Sequence, residues 1–239
     1  MKTNTLIDIQ HLHFAFDQRP VIQDVSLSFT SHDRLALVGG NGAGKTTLLK
    51  IILGLVNSDQ GNVVIKKNLT IGYLPQVLSL TDKLFPMTVK EVVAQGLISQ
   101  KAFPRWLSRG DQKTIETMLN SFQLTSLKND QFGLLSLGQK QMVLFARMMM
   151  QKPDIVFLDE PTSSLDVNRK DSLYQILDDL KKKKVPYVIV THDLPSFSDH
   201  INRVVYLEHQ ILFDGSYKKF CEMENISPFI HTHGDHHDH

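Results

Sequence analysis

The sequence predicts an α/β fold in which a core of buried strands is interrupted by a helical insert. Three observations carry that prediction. Short apolar, β-branched runs at 35–38, 155–158, 188–190 and 204–207 have the unbroken hydrophobicity of parallel strands buried on both faces. A glycine-rich stretch, Gly39-Gly40-Asn41-Gly42-Ala43-Gly44-Lys45-Thr46-Thr47, follows the first run and precedes a helical pattern over 48–53. From Thr88 to about Met150 the periodicity is mostly helical.

In chain order, Leu12, Phe14 and Phe16 fall on one face of an extended run, and Val25, Leu27 and Phe29 on another; these predict antiparallel strands ahead of the glycine stretch. Gly61-Asn62 reads as a turn, followed by a strand at 63–65 and another near 71–74. The character changes after Pro75-Gln76. Thr88-Val89-Lys90-Glu91 fits a capping box, and Ile115, Met118, Leu119 and Phe122 share one helical face. Lys181 to Lys184 read as a solvated helix end. The expected organisation is one domain over 1–230, with the helical part inserted at about 77–150. Residues 231–239 form a His-rich tail expected to be disordered.

Composition narrows the function. A chain of 239 residues, 41% hydrophobic and 21% charged, can bury a substantial core. The net charge of +1 lacks the basic excess of a general nucleic-acid binder. The single cysteine, Cys221, cannot form an internal disulfide. The first residues contain no apolar core of signal-peptide length, and no apolar stretch approaches the ~20 residues needed to span a bilayer. The expected location is the cytoplasm, with any membrane role exercised through a partner.

A buried strand, a glycine loop and a helix are the parts of a phosphate cradle. Glycines let several backbone N–H groups converge on an anion, and the helix N-terminus adds its positive dipole end. Lys45 supplies a point charge for terminal phosphates, and Thr46 a hydroxyl for Mg²⁺. The alternative is a flexible turn, which would not require all these positions at once. Asp159-Glu160 follows the apolar run ending at Leu158, at the strand end where ligands bind in such sheets. Asp159 can help hold Mg²⁺, and Glu160 can polarise an attacking water as general base. Leu135-Ser136-Leu137-Gly138-Gln139 opens a helix over 140–150, with Ser136 and Gln139 at capping-box spacing. The methionines behind it (Met142, Met148, Met149, Met150) read as core packing.

Together these residues closely resemble the ATP-binding subunit of an ABC transporter, from about Phe16 to Gly215. The resemblance implies a P-loop NTPase core with a β subdomain and the helical insert. On it, 39–46 match the Walker A loop, Gln76 the Q-loop glutamine, 136–139 the signature, and 155–159 Walker B. Glu160 matches the catalytic glutamate, Ser163-Ser164-Leu165-Asp166 the D-loop, and His192 the switch histidine. Phe16 matches the aromatic that stacks on adenine, although it also fits the alternating core face. The implied catalytic set is Glu160, His192, Lys45 and Gln76. Thr46, Gln76 and Asp159 would hold Mg²⁺. The nucleotide would be contacted by Phe16, by residues 39–47 (Gly39, Gly40, Asn41, Gly42, Ala43, Gly44, Lys45, Thr46, Thr47), and by Ser136, Gly138, Gln139 and Asp166. The signature departs from Leu-Ser-Gly-Gly-Gln at Leu137, and Met142 stands where arginine is common.

The resemblance further implies ATP hydrolysis in a two-fold, head-to-tail homodimer that drives multi-span permease subunits, with an extracellular metal-binding protein acting upstream. Phe85-Pro86-Met87-Thr88-Val89-Lys90-Glu91-Val92-Val93 and Phe103-Pro104-Arg105-Trp106-Leu107 resemble the ATPases of zinc and manganese importers. The tail histidines His231, His233, His236, His237 and His239 suit Zn²⁺ better than Mn²⁺, which prefers oxygen ligands; the alternative is an inert terminus. Zinc is therefore the expected cargo, with manganese next and a non-transport ABC ATPase as the other reading. A small-molecule kinase would not need the signature, Glu160 and His192 in this order, and no guanine-reading Asn-Lys-x-Asp motif is present.

Overall fold

The computed structural model describes residues 4–76, 86–99, 106–163 and 165–222. The chain divides into two units, Met1–Leu69 with Asp178–His239, and Thr70–Leu177.

The first unit begins with β1 (Thr5–Phe16) and β2 (Arg19–Thr30), which pair antiparallel, and β4 (Gln60–Ile65) pairs antiparallel along the other side of β1. Leu12, Val25, Leu27 and Phe29 are buried as the alternation predicts. Phe16 is not: it is 67% exposed. Register shifts at Leu12 and Phe14 break the two-residue period, so the residues beyond them no longer follow the core face. Gly61-Asn62 also differs from expectation, because it lies inside β4. Gly61 has φ +88°, and a Cβ there would lie 2.3 Å from the His11 carbonyl oxygen. The glycine marks close approach to an irregular stretch of β1, not a chain reversal.

The other sheet of this unit centres on β3 (Arg34–Val38), with β7 (Tyr187–Val190) and β8 (Arg203–Glu208) parallel on either side. β9 (Gln210–Gly215) pairs antiparallel with β8. β3 and β7 are buried almost throughout, as are Val204 to Leu207, which is why their sequences are continuously apolar. α1 (Lys45–Ile52) buries Leu48, Leu49, Ile51 and Ile52, each contributing about 1.5–3 kcal/mol of transfer free energy. Arg203 ties the unit's sheets together. Its guanidinium donates to both carboxylate oxygens of Asp214 (2.7 and 2.6 Å), to Asp33 (3.0 Å) and to the Ser28 carbonyl (2.9 Å). The Asp214 hydrogen bonds raise its pKa further, against the opposing effect of burial. α6 (Tyr217–Cys221) seats Phe220 against Phe213 and Tyr206.

In the second unit β5 (Ile71–Leu74) runs parallel to β6 (Ile155–Asp159). The helices are α2 (Val89–Ile98), α3 (Arg109–Ser121) and α4 (Leu137–Met149); α5 (Val167–Lys182) carries the chain back to the first unit. The predicted capping box at Thr88 and Glu91 forms, and similar boxes start α3 at Ser108 and α4 at Ser136. Ile115 and Leu119 are buried, with Met118 and Phe122 half-buried on the same face. Met142, Met148 and Met150 pack in the core. Lys181 to Lys184 are exposed, as a solvated helix end should be.

Candidate nucleotide site

In the first unit the chain leaves β3 at Val38 and winds through Gly39–Gly44 into α1. Packing beneath the loop demands glycine at two points. A Cβ on Gly39 would sit 2.0 Å from the Leu207 carbonyl oxygen. At Gly44, with φ +97°, it would sit 2.7 Å from Ile22 Cδ1 and 2.8 Å from the Val21 oxygen. Gly42 differs: φ is +85°, yet nothing lies within 4 Å of the place a Cβ would take, so its backbone faces open space that an anion can enter. Gly44 is the N-cap of α1 and brings no side-chain cap. The positive end of the helix is thereby left for a ligand rather than for a serine or aspartate. Lys45 is only 9% exposed, and its ammonium donates to the carbonyls of Gly39 and Gly40, both at 2.8 Å. The loop thus holds a buried cation over its own backbone.

The β8–β9 turn supports this loop, which the sequence reading missed. The His209 N–H donates to the Ala43 carbonyl at 3.1 Å, and the His209 carbonyl accepts from the Gln23 N–H at 2.7 Å. The Glu208 carboxylate accepts from the Gly40 N–H at 3.3 Å. His192 follows β7, which lies beside β3, and the Thr191 N–H donates to the Leu37 carbonyl at 3.3 Å. The exposed His192 therefore emerges at the same sheet edge as the glycine loop. Phe16 ends β1 with its ring largely in solvent.

The second unit gathers the remaining residues. Leu74 of β5 pairs with Leu158 of β6, so Gln76 and Asp159-Glu160 leave the sheet at one edge. Asp159 is 3% exposed. The Tyr73 hydroxyl donates toward Asp159 Oδ2 at 3.5 Å, and its pKa is pushed up to about 12 by burial and then by that carboxylate. Glu160 has φ 49°, a left-handed conformation costing about 1–3 kcal/mol in a non-glycine residue. Such strain, held immediately before Pro161, is concentrated where chemistry is expected. Ser136 caps α4: its hydroxyl accepts from the Gln139 N–H at 3.3 Å, and Gln139 Oε1 accepts from the Ser136 N–H at 3.0 Å. Gly138 is buried and Leu137 is 38% exposed. Asp166 accepts from the Arg169 backbone and pairs with its guanidinium at 2.7 Å, while Ser164 lies outside the described residues. Gln141, which no motif flagged, donates to the Pro161 carbonyl at 2.6 Å.

The donors proposed for Mg²⁺ are a hydroxyl (Thr46), an amide oxygen (Gln76) and a nearly inaccessible carboxylate (Asp159). Each is an oxygen donor of the kind a hard divalent cation takes. Residues 231–239 and their histidines lie outside the described residues, as do Phe85 and 103–105. Among the described residues no group of three or more His, Cys, Asp or Glu side chains could hold a metal ion. No helix among them is long and apolar enough to cross a membrane.

Comparison with known proteins shows the family. The profile of the ABC transporter family matches residues 22–163. The zinc uptake system ATP-binding protein ZurA of Listeria innocua is 32% identical over 89% of this chain and 86% of its own length. The high-affinity zinc uptake system ATP-binding protein ZnuC of Bacillus subtilis is 33% identical, covering 85% of this chain and 91% of the relative. Among solved structures, an ABC transporter in an inward-facing conformation superposes with a TM-score of 0.81 at 26% identity, over 95% of this chain and 89% of that one. A dimeric, post-hydrolysis ATP-binding cassette with ADP and phosphate bound shares the fold, with a TM-score of 0.77 at 22% identity over 88% of this chain and 98% of that one. A glycine loop around a buried lysine and a strand-end carboxylate pair thus coincide with extended similarity in sequence and fold: the chain belongs to the ABC transporter family.

Proposed function

We propose that this chain is the ATP-hydrolysing subunit of a metal-ion importer whose cargo is zinc. The observation that carries the reading is the phosphate cradle of Gly39–Gly44 with the buried Lys45 ammonium laid across it. The strand-end pair Asp159-Glu160 in the other unit supplies the remaining chemistry. Phosphate oxygens would replace the Gly39 and Gly40 carbonyls as partners of Lys45, while backbone N–H groups of the loop and α1 take up the anion. Thr46, Gln76 and Asp159 would hold Mg²⁺, which when bound neutralises charge on the phosphates. Glu160 accepts a proton from the attacking water, and His192 donates a hydrogen bond to the transferring phosphoryl group.

The Ser136 helix start is a second anion-seeking terminus. In a head-to-tail homodimer it would close over the nucleotide held by the partner, with Gly138, Gln139 and Asp166 at that seam and Phe16 against the base. ATP then joins the pair and hydrolysis releases it. Domain 1–230 would form this ATPase, with its helical part at about 77–150, and 231–239 would be an accessory zinc-binding tail. Membrane-spanning permease subunits would dock at the helical part. A cleft of about 260 Å³ lined by Tyr73, Pro75, Leu144, Arg147, Met148 and Gln151 is a suitable receptor beside Gln76. The chain would so be held at the inner face of the membrane.

Zinc is favoured by the imidazole-rich tail and by relatives whose names specify zinc uptake. Metal-uptake complementation decides the cargo: a strain lacking its zinc importer should regain growth on limiting zinc with this chain and its permease. Restoration of manganese uptake alone would replace zinc by manganese. Failure of the permease to stimulate ATP hydrolysis would remove transport altogether.

A further inference from the structure

Gln141 lies within α4, the helix whose first turn carries Ser136 and Gln139, and it is 1% exposed. Its Nε2 donates to the Pro161 carbonyl oxygen at 2.6 Å. Its Oε1 is buried and accepts no hydrogen bond. A buried amide whose oxygen is unmet is a poor choice for stability, since methionine or leucine would fill the same space without leaving a polar atom stranded. What an apolar residue cannot supply is the bond to Pro161. That carbonyl belongs to the residue directly after Glu160, whose φ of 49° is strained and held only by its surroundings.

We propose that Gln141 is a positioning residue for Glu160. It fastens the strained Glu160-Pro161 segment to the body of α4, so that the carboxylate keeps the orientation needed to meet an attacking water. Because α4 is continuous from its Ser136 cap, the same bond links the first turn of this helix to the backbone at Glu160 within one subunit. A displacement of that first turn is then felt at the chain's own general base. The inference rests on the reading of Glu160 as that base and concerns a residue to which the family resemblance attached no role.

The test uses the full-length chain with Gln141→Met, which keeps the volume and removes the donor, and Gln141→Glu, which donates only when protonated. We expect kcat for ATP hydrolysis to fall by about tenfold or more in the Met variant, since small misplacements of a reacting group cost that much or more, with the KM for ATP and the thermal midpoint retained. The Glu variant, expressed as activity relative to wild type at each pH, should recover as pH is lowered. A Met variant with wild-type kcat overturns the proposal. So does a loss in kcat accompanied by a matching rise in KM and no acid recovery of the Glu variant. If the Met variant does not fold, the pH profile of the Glu variant decides alone. Glu160→Gln separates the two readings: residual turnover near wild type would sink the base assignment, whereas an inactive Glu160→Gln beside a fully active Gln141→Met would sink only the positioning role.

Discussion

The Lys45 ammonium donates to the Gly39 carbonyl oxygen across a single turn of the loop, at 2.8 Å, and makes an equal bond to Gly40. A cation buried to this degree has to be hydrogen-bonded, and the loop itself provides the acceptors. On the proposed reading, phosphate oxygens would take the place of those two carbonyls, so the side chain would need no entry from solvent. Lys45→Met should lower kcat by at least about 10²-fold, the usual cost of losing one charge-stabilising donor. Lys45→Arg should not rescue it, because a planar guanidinium cannot sit between two carbonyls as a point charge does. Steady-state ATPase assays with nucleotide-binding titrations check both; activity retained in either variant would contradict the assignment.

The two loop glycines with clearly left-handed φ should fail differently. Gly44→Ala meets both an unfavourable φ and a backbone oxygen at 2.8 Å, a combined cost of about 3 kcal/mol. Gly42→Ala has the unfavourable φ but open space, costing about 1–2 kcal/mol. Thermal unfolding should therefore rank Gly44→Ala well below Gly42→Ala. Nucleotide titration should show the Gly42 variant impaired despite its better stability, since its methyl group intrudes where the phosphate approaches.

Which of these residues sequence reasoning could find follows from how far apart their partners are. Lys45, Asp159 and Ser136 are legible as candidates because each proposed role needs a local arrangement: a loop before a helix, a carboxylate after a buried strand, a cap at a helix start. Glu208 and Gln141 are not legible, because their contacts join positions 168 and 20 residues apart, with a Gly40 amide and a Pro161 carbonyl. No spacing encodes such pairs. The core-face reading of Phe16 and the turn reading of Gly61-Asn62 fail for a related reason. Irregularities in β1 shift the strand's period, and a positive-φ glycine inside a strand has the same composition signal as a turn. The parallel strands were easy, since burial on both faces leaves no alternation to misread.

The capping box that starts α2 predicts a pH response. Glu91 accepts from the Thr88 backbone N–H and hydroxyl, both at 2.8 Å, and these bonds, the backbone one foremost, lower its pKa below the ordinary 4.5. A depressed carboxylate contributes stability that is present above the unfolded value and is lost as pH falls through the folded one. The stability difference between wild type and Glu91→Ala should then be constant near neutrality and shrink only below about pH 4.5. Thermal midpoints measured for both proteins across that range test this. A difference that shrinks above pH 5 would show that another group is responsible.

Glu160 offers the sharpest separation between binding and chemistry. Its backbone is strained before Pro161, and an amide in place of its carboxylate keeps shape and volume while removing the proposed base. Glu160→Gln should therefore abolish turnover, by at least about 10²-fold, without weakening ATP binding. If ATP joins two copies through the Ser136 helix start, the variant should accumulate as a nucleotide-dependent dimer because the step that parts the copies is blocked. Analytical ultracentrifugation with and without ATP reads this directly, and Ser136→Arg introduced into the same variant should return it to monomer by crowding the seam. A Glu160→Gln protein that stays monomeric at saturating ATP would refute the two-sided site. One that hydrolyses ATP at the wild-type rate would move the general base elsewhere.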